Sequence, residues 1–167
     1  PILGICYGLQ VMCIQNGGSV ERPDKREYGF ADLRILNHES ALLKGIGQNS
    51  RLWMSHGDAV CTLPAGFEHT GSTENCSYTV IENKEKQFYG VQFHPEVVHT
   101  AEGKTFLENF VLGICKAQPN WDMGSFITSA IEEIRAKVGD KQVLCGLSGG
   151  VDSAVAAVLI HKAIGDQ

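Results

Sequence analysis

The sequence has 167 residues, 43% of them hydrophobic and 20% charged, which is enough apolar surface for one sizeable core or for one domain and part of another. Its formal charge is -5 without a long basic run, which argues against nucleic acid and anionic membranes as partners. No apolar run approaches the ~20 residues that cross a bilayer, the first residues do not read as a signal peptide, and six scattered cysteines form no zinc-type pattern. We expect a cytoplasmic protein with reduced thiols that acts on small molecules.

The first part of the chain alternates helical and β-type patterns. Residues 1–5 read as a buried strand that runs into Cys6, and a helix follows and ends near Asn16. From Ser19 to about Tyr89 the pattern is mainly β, and residues 88–93 form a last strand before a helix with apolar positions from Phe106 to Ile114. The predicted intermediate strands are 32–36, 51–54, 59–62, 68–72 and 78–82. This order predicts an α/β domain with an open mixed sheet over residues 1–116.

The remaining residues have a different organisation. Residues 117–124 contain Pro and Gly and read as a linker. Ser125 is the expected N-cap of an amphipathic helix that reaches Val138, and a strand at 142–147, a glycine loop and an apolar helix at 151–164 follow. This α-β-loop-α order predicts the first unit of a doubly wound parallel sheet over residues 125–167. Because the chain starts without methionine and stops at the end of a predicted helix, we expect it to be an internal piece of a longer protein.

Cys6 is the first candidate catalytic residue. It lies between Gly4 and Gly8 at a predicted strand-to-helix turn, where strained backbone angles expose a nucleophile and glycines on either side relieve Cβ clashes. The amino terminus of the following helix favours a thiolate. The alternative is that Cys6 is a small buried core residue, as we expect for the other five cysteines.

His94 and Glu96 are the matching base candidates. A thiol that attacks a carboxamide needs a general base and a third group that orients the base. The two residues flank Pro95 at the end of the strand 88–93, where a carboxylate two residues on is able to turn back to the imidazole. The alternative is an ordinary histidine in a turn.

The second candidate site is the run from Ser148 to Ser153, sequence SGGVDS, between the predicted strand 142–147 and the last helix. Two glycines, successive N–H groups and a helix amino terminus together form a cradle for phosphate groups. The alternative is a plain turn followed by a helix cap. A Walker loop is excluded because its Gly and Lys spacing is absent.

These motifs resemble two known families. GICYG at Gly4–Gly8 followed by GVQFHPE at residues 90–96 resembles the class I, or triad, glutamine amidotransferases, which implies that Cys6 is acylated by glutamine, His94 is the base and Glu96 orients it. SGGVDS resembles the pyrophosphate loop of the ATP pyrophosphatases, which implies that Ser148, Gly149, Gly150, Val151, Asp152, Ser153 and Ala154 hold ATP, with Mg²⁺ near Asp152. The two together resemble the GMP synthase family, whose substrates are glutamine, ATP and XMP.

The same resemblance implies a glutamine pocket. By that analogy the substrate is bound by Gln10, Tyr28, Gly29, His56, Gly57 and Asp58, while the backbone N–H of Tyr7 holds the oxyanion. The alternatives are a strand-end turn for 56–58 and a packed aromatic for Tyr28. The family further implies XMP-binding and homodimer-forming regions after Gln167.

Two rival functions stay open at the level of sequence. One is a different glutamine-dependent ATP pyrophosphatase, such as an NAD synthetase, although that family generally has a nitrilase-like glutamine half. The other is a catalytically silent module in which the loop 148–153 senses nucleotide and Cys6 is structural. A broken triad is the expected signature of the silent module, and all three triad residues are present here.

Overall fold

The computed structural model describes residues 1–23, 25–120 and 122–167. Within them the chain forms two compact units, Pro1–Gln118 and Pro119–Gln167. In these described ranges no helix has both the length and the apolar character needed to cross a membrane. Trp121, inside the predicted linker 117–124, lies outside the described residues.

Among its described residues, the first unit has nine strands and two α-helices. The helices are α1 (Tyr7–Gln15) and α2 (Gly103–Glu108), and α2 continues as a π-helical segment, Asn109–Ile114. The strands are β1 (Ile2–Ile5), β2 (Ser19–Glu21), β3 (Glu27–Asp32), β4 (Arg34–Ile35), β5 (Arg51–His56), β6 (Ala59–Thr62), β7 (Glu68–Ser72), β8 (Val80–Asn83) and β9 (Phe88–Val91).

The main sheet of the first unit is mixed, as the sequence predicts. Its strand order is β1-β9-β8-β7-β4, where β1 runs parallel to β9 and the other pairs are antiparallel. Two smaller ribbons pair β2 with β6 and β3 with β5. The pairing of Ile5 with Val91 brings the carboxyl ends of β1 and β9 to one edge of the sheet. The candidate nucleophile and its candidate base follow these two strand ends.

Neighbouring residues of the main sheet face opposite sides. Ile81 packs with Leu9 of α1, whereas Val80 belongs to the cluster that contains Phe106 of α2. This alternation is the period of two expected for a strand, and it places a helix on each face of the sheet.

Some strand predictions differ from the structure. β6 and β7 have the predicted bounds, but the predicted strand 32–36 is reduced to the two residues of β4, and β2 and β3 were not predicted. β3 contains Gly29 at a φ of 97°, which interrupts the run of β-forming residues in the sequence. Its strand conformation comes from six register pairs with β5, a tertiary contribution that local propensity does not contain.

The second unit contains the helices α3 (Met123–Val138) and α4 (Val151–Ile164). The cap of α3 is Asp122 rather than Ser125, because the Asp122 carboxylate accepts a hydrogen bond from the Ser125 N–H. The predicted strand 142–147 is not formed. The described residues of this unit offer no second strand for a hydrogen-bonded ladder, and Leu144 is 99% exposed.

Candidate active site

Cys6 occupies a strained turn between β1 and α1. Its φ of 49° and ψ of -104° lie outside the regions that L-residues prefer, a conformation that costs about 1–3 kcal/mol. Its N–H donates to the Val91 carbonyl at 2.8 Å, so β9 holds the turn in place. A Cβ on Gly4 would lie 2.7 Å from backbone atoms of Gly8 and Leu9, whereas one on Gly8 would meet nothing within 4 Å. The predicted steric role therefore applies to Gly4 and is wrong for Gly8.

Three other groups act on the Cys6 sulfur. Burial raises the pKa of the thiol, hydrogen bonds from the Tyr7 N–H and the Gln92 side chain lower it, and the negative charge of Glu96 raises it, with a net upward shift. In this structure the effect of burial on the Cys6 pKa therefore outweighs the stabilisation of the thiolate that was expected from the helix amino terminus. The candidate nucleophile is therefore a neutral thiol at neutral pH, and a thiol in this form needs a base before it attacks.

His94 and Glu96 form a direct pair beyond the end of β9. The His94 Nδ1 and Glu96 Oε1 atoms are 2.7 Å apart. This contact fixes the plane of the imidazole and directs its Nε2 away from Glu96, the arrangement that a base with an orienting carboxylate requires.

The turn that carries His94 is held by neighbouring elements. The His94 N–H donates to the Trp53 carbonyl at 3.1 Å, and Thr100 Oγ1 donates to the His94 carbonyl at 2.6 Å. Behind the turn, a Cβ on Gly103 would lie 2.1 Å from the Pro95 carbonyl oxygen. The start of α2 therefore packs directly on the His94–Glu96 backbone and limits its movement.

Strand β5 contacts both His94 and Cys6, the candidate base and nucleophile, and pairs with the strand that carries two predicted pocket residues. The Ser55 carbonyl lies 3.8 Å from Cys6 Sγ, and Ser55 is the register partner of Tyr28 on β3. Gly29 pairs with Met54, the residue before Ser55 in β5. A Cβ on Gly57 would lie 3.4 Å from the Tyr28 hydroxyl.

The remaining predicted pocket residues lie close by. Gln10 Nε2 donates to the Asp58 carbonyl at 2.7 Å. Tyr7 and Tyr28 are exposed, as is Asp58, whereas Gln10 and His56 are buried. Strand register and hydrogen bonds thus connect these predicted residues to β5 and α1, the two elements next to Cys6, with some of them exposed and some buried.

His56 is placed under the loop that it was predicted to line. Its Nδ1 lies 3.0 Å from the Asp58 carbonyl and its Nε2 lies 3.4 Å from the Glu27 carboxylate. Burial alone would raise the pKa of Glu27, but hydrogen bonds from His56 and Thr73 with the His56 charge bring it below its usual range. The buried pair of Glu27 and His56 therefore supports the loop at 57–58.

Glu27, Thr73 and Gln92 are not among the site residues predicted from the sequence. Gln92 had a detectable signal, because it is a polar residue between Val91 and Phe93 in a strand that otherwise reads as apolar. Glu27 had none, since its partners lie 29 and 46 residues away in sequence.

Among the described residues, Glu27, His56 and Cys76 are a group of metal-ligand type whose ligating atoms lie within 4.8 Å of one another. Internal contacts already satisfy this group. Thr73 Oγ1 donates to Glu27 at 2.8 Å, the other carboxylate oxygen faces His56, and burial raises the pKa of Cys76 to about 11. A neutral thiol and a paired carboxylate are poor metal ligands, so the cluster is best explained as a buried polar support.

The second candidate site, 148–154, lies in the second unit and is organised locally. Gly149 has a φ of 86°, and Gly150 caps α4. Ser148 Oγ donates to Ser153 Oγ at 3.1 Å, and Ser153 Oγ donates to the Gly150 carbonyl at 2.9 Å. The loop is exposed, and Asp152 lies in the first turn of α4. An exposed loop on a helix amino terminus is suited to phosphate groups.

Comparisons with known proteins agree with both units. Residues 1–114 match the family model "Glutamine amidotransferase class-I" and residues 123–167 match "NAD synthase". Proteins named GMP synthase [glutamine-hydrolyzing] from Brachyspira hyodysenteriae and Aquifex aeolicus are 57% and 59% identical over all 167 residues. The chain spans 32% of the length of each, about a third of these curated relatives.

Two solved structures are also similar to this chain. A GMP synthase component from Thermoplasma acidophilum aligns with a TM-score of 0.66 at 34% identity, over 70% of this chain and 57% of that one. A glutamine amidotransferase from Thermotoga maritima shares the fold, with a TM-score of 0.53 at 21% identity over 98% of this chain and 62% of its own. Since the family model covers residues 1–114, well over half of the sequence, the chain belongs to the class-I glutamine amidotransferase family.

Proposed function

We propose that the first unit hydrolyses glutamine to glutamate and ammonia, with Cys6 as nucleophile, His94 as base and Glu96 as the group that orients the base. The observation that carries this proposal is the strained Cys6 turn at the same sheet edge as the 2.7 Å His94–Glu96 pair. A buried structural cysteine needs neither a positive φ nor a charged partner nearby.

The proposed reaction has two halves. In the first, His94 accepts the thiol proton as Cys6 Sγ attacks the side-chain carboxamide carbon of glutamine, and the backbone N–H of Tyr7 stabilises the oxyanion. The tetrahedral intermediate collapses when His94 donates that proton to the departing ammonia, which leaves a γ-glutamyl thioester. In the second, His94 removes a proton from water, the resulting hydroxide attacks the thioester, and glutamate leaves as the proton returns to Cys6.

The elevated pKa of the Cys6 thiol is consistent with this sequence of steps. A neutral resting thiol reacts slowly with other electrophiles, and the base activates it when the substrate is bound. Gln10, Tyr28, Gly29, Gly57 and Asp58 are the proposed glutamine contacts, and His56 is proposed to act on the substrate through the 57–58 loop that it supports.

The second unit is proposed to begin an ATP pyrophosphatase domain whose loop 148–154 holds the phosphates of ATP. Asp152 offers an exposed carboxylate beside this loop, an oxygen ligand of the type that Mg²⁺ prefers, and Mg²⁺ there would neutralise phosphate charge. We propose that residues 1–116 form the ammonia-releasing domain and residues 125–167 the start of the ATP domain, joined by 117–124.

The names of the relatives favour GMP formation from XMP, ATP and glutamine as the activity of the whole protein. The NAD synthase family match favours, as a second candidate, a different acceptor for the same ammonia. A cytoplasmic location and a homodimer formed through regions outside this chain remain predictions.

The test uses the protein at its full natural length. Wild type and Cys6→Ala are assayed for product formation from XMP and ATP with either glutamine or ammonium. We expect Cys6→Ala to lose at least ~10³-fold of glutamine-dependent activity, as when a covalent nucleophile is removed, and to keep the ammonium-dependent activity. Glutaminase activity retained in Cys6→Ala would refute the nucleophile assignment. ATP cleavage without conversion of XMP would refute GMP formation and leave the glutaminase assignment standing.

A further inference from the structure

A chain of buried and part-buried hydrogen bonds leads from the predicted glutamine loop to the Cys6 sulfur. Gln92, at 0% exposure, lies directly after β9, and its Nε2 is 3.6 Å from Cys6 Sγ. Its Oε1 accepts a hydrogen bond from Gln10 Nε2 at 3.4 Å. The same Gln10 nitrogen donates to the Asp58 carbonyl at 2.7 Å. The proposed mechanism assigns no role to Gln92.

The backbone of Asp58 determines which way both amides point. A carbonyl oxygen only accepts, so the Gln10 group that faces it is the NH₂. That NH₂ has a second hydrogen, which requires an acceptor, so Gln92 presents its oxygen to Gln10. The NH₂ of Gln92 is then the group directed at the sulfur. A reversed Gln92 amide would place two donors against each other in a buried site, which is costly.

We propose that Gln92 is a positioning residue for the Cys6 nucleophile, fixed through Gln10 so that the glutamine loop and the attacking sulfur form one hydrogen-bonded unit. This inference rests on the proposed function for its meaning in catalysis, but the contacts themselves involve no substrate.

The effect of Gln92 on the sulfur depends on whether Cys6 is a thiol or a thiolate. In the neutral thiol the S–H donates to the Ser55 carbonyl at 3.8 Å. When the proton leaves, the sulfur no longer donates to that carbonyl, and the Gln92 N–H becomes its favourable side-chain partner. The Tyr7 N–H acts in the same direction, whereas burial and the charge of Glu96, itself paired with His94, act against the thiolate. Gln92 therefore stabilises the reactive form more than the resting form.

Two substitutions separate the effect of the Gln92 hydrogen-bond donor from the effect of its side-chain volume. Gln92→Met keeps a long unbranched side chain and removes the N–H, and Gln92→Glu keeps the shape and places a carboxylate beside the sulfur. Gln48→Met is the matched control, because it removes another glutamine, which is exposed and whose Oε1 accepts from the Ile35 N–H of β4.

The main readout is the rate of Cys6 alkylation by iodoacetamide from pH 6 to 11 in the full-length protein, followed by mass spectrometry of the Cys6 peptide. We expect Gln92→Met to react about tenfold more slowly than wild type at pH 8, because a hydrogen bond to a charged group is lost, and Gln92→Glu more slowly still. The two profiles converge with that of wild type at high pH. Gln48→Met should follow wild type throughout.

The kinetic readout is glutamine hydrolysis. We expect kcat to fall about 10–100-fold in Gln92→Met with KM changed less than about threefold, since the lost contact is to the nucleophile. Gln10→Met, which releases the Gln92 amide, should shift the alkylation profile in the same direction and serves as the test if Gln92→Met does not fold.

The outcomes distinguish this inference from the proposed function. If the Gln92 and Gln10 variants have the alkylation profile of wild type, the positioning role is overturned, even if hydrolysis is slower. If Cys6→Ala still hydrolyses glutamine, the proposed function fails, while the alkylation comparison still measures the effect of Gln92 on the sulfur.

Discussion

The two candidate sites differ in how their shapes are encoded. In the first unit, Cys6 follows β1, its N–H donates to β9, and its sulfur has hydrogen-bond partners on β5 and on the residue after β9; the candidate base is held by β5 and the start of α2. In the second unit, the side-chain hydrogen bonds of the loop join Ser148, Gly150 and Ser153 to one another, all within six residues. A site assembled from distant elements fails when any support moves, whereas a local loop depends on its own residues.

The largest expected effect comes from the close packing of α1 on β1. In Gly4→Ala the new Cβ overlaps backbone atoms of Gly8 and Leu9 at 2.7 Å, and only a shift of α1 relieves this, so we expect a loss of about 3 kcal/mol in unfolding free energy. Gly8→Ala is the matched control, because its Cβ meets open space and alanine favours a helix, and it should change stability by less than about 1 kcal/mol. Chemical denaturation measures both. Equal losses in the two variants would contradict the packing argument.

The contrast between the units also explains what the sequence predicted. α1, β6, β7 and α4 were predicted within a residue or two because their periodicity and their glycine and asparagine ends are local signals. The triad residues Cys6, His94 and Glu96 were selected for the same reason, since each lies in a short motif. Their catalytic roles stay predictions, although the structure places the His94–Glu96 pair and Cys6 at one edge of the sheet.

What the sequence did not predict depends on tertiary contacts. β3 becomes a strand because it pairs with β5, and Glu27 becomes part of the site because β3 and β5 are in register at Glu27 and His56. The strand predicted at 142–147 shows the reverse case, an apolar segment with strand propensity but without a described partner strand in its unit. Propensity alone decides neither of these segments.

The next-largest effect is expected for the buried pair of Glu27 and His56 beneath the 57–58 loop. Glu27→Gln keeps the side-chain shape but removes the charge that faces His56, so we expect a loss of about 1.5–3 kcal/mol at pH 7. The pKa of Glu27 is held below its ordinary value of 4.5, so the native state favours the carboxylate. This stabilisation is present above pH 4.5 and is lost as the pH falls through the native pKa.

The difference between wild type and Glu27→Gln should therefore shrink as the pH falls below 4.5 towards and through the native pKa of Glu27. Denaturation curves at several pH values measure it, with Glu39→Gln on the exposed surface as the control. A difference that does not shrink below pH 4.5 would contradict the assignment of Glu27 as the ionised partner.

A smaller effect is expected from a change at Thr100, whose hydroxyl holds the turn that carries His94. Thr100→Val keeps the shape of the side chain but removes the donor to the His94 carbonyl and the acceptor for the Trp53 N–H, at 2.6 and 3.1 Å. We expect a loss of about 1–2 kcal/mol in stability. Because the base becomes less well positioned, glutamine-dependent kcat should fall about tenfold with little change in KM. Unchanged kcat with reduced stability would show that Thr100 supports the fold alone.

The smallest effect is expected in the second unit, where the loop is built locally. Ser148→Ala removes the hydroxyl that joins Ser153 and Gly150, an exposed contact, so the unfolding of the protein should not change measurably. Binding of ATP, measured by calorimetry in the full-length protein, should weaken a few-fold, since one exposed hydrogen bond contributes about 1 kcal/mol or less. Ser129→Ala on α3, outside the loop, is the control and should bind ATP as wild type does. Because the hydroxyl lies in the second unit, glutamine hydrolysis should be unaffected in both variants. A global loss of stability in Ser148→Ala would show that this loop, like the first site, depends on contacts beyond its own residues.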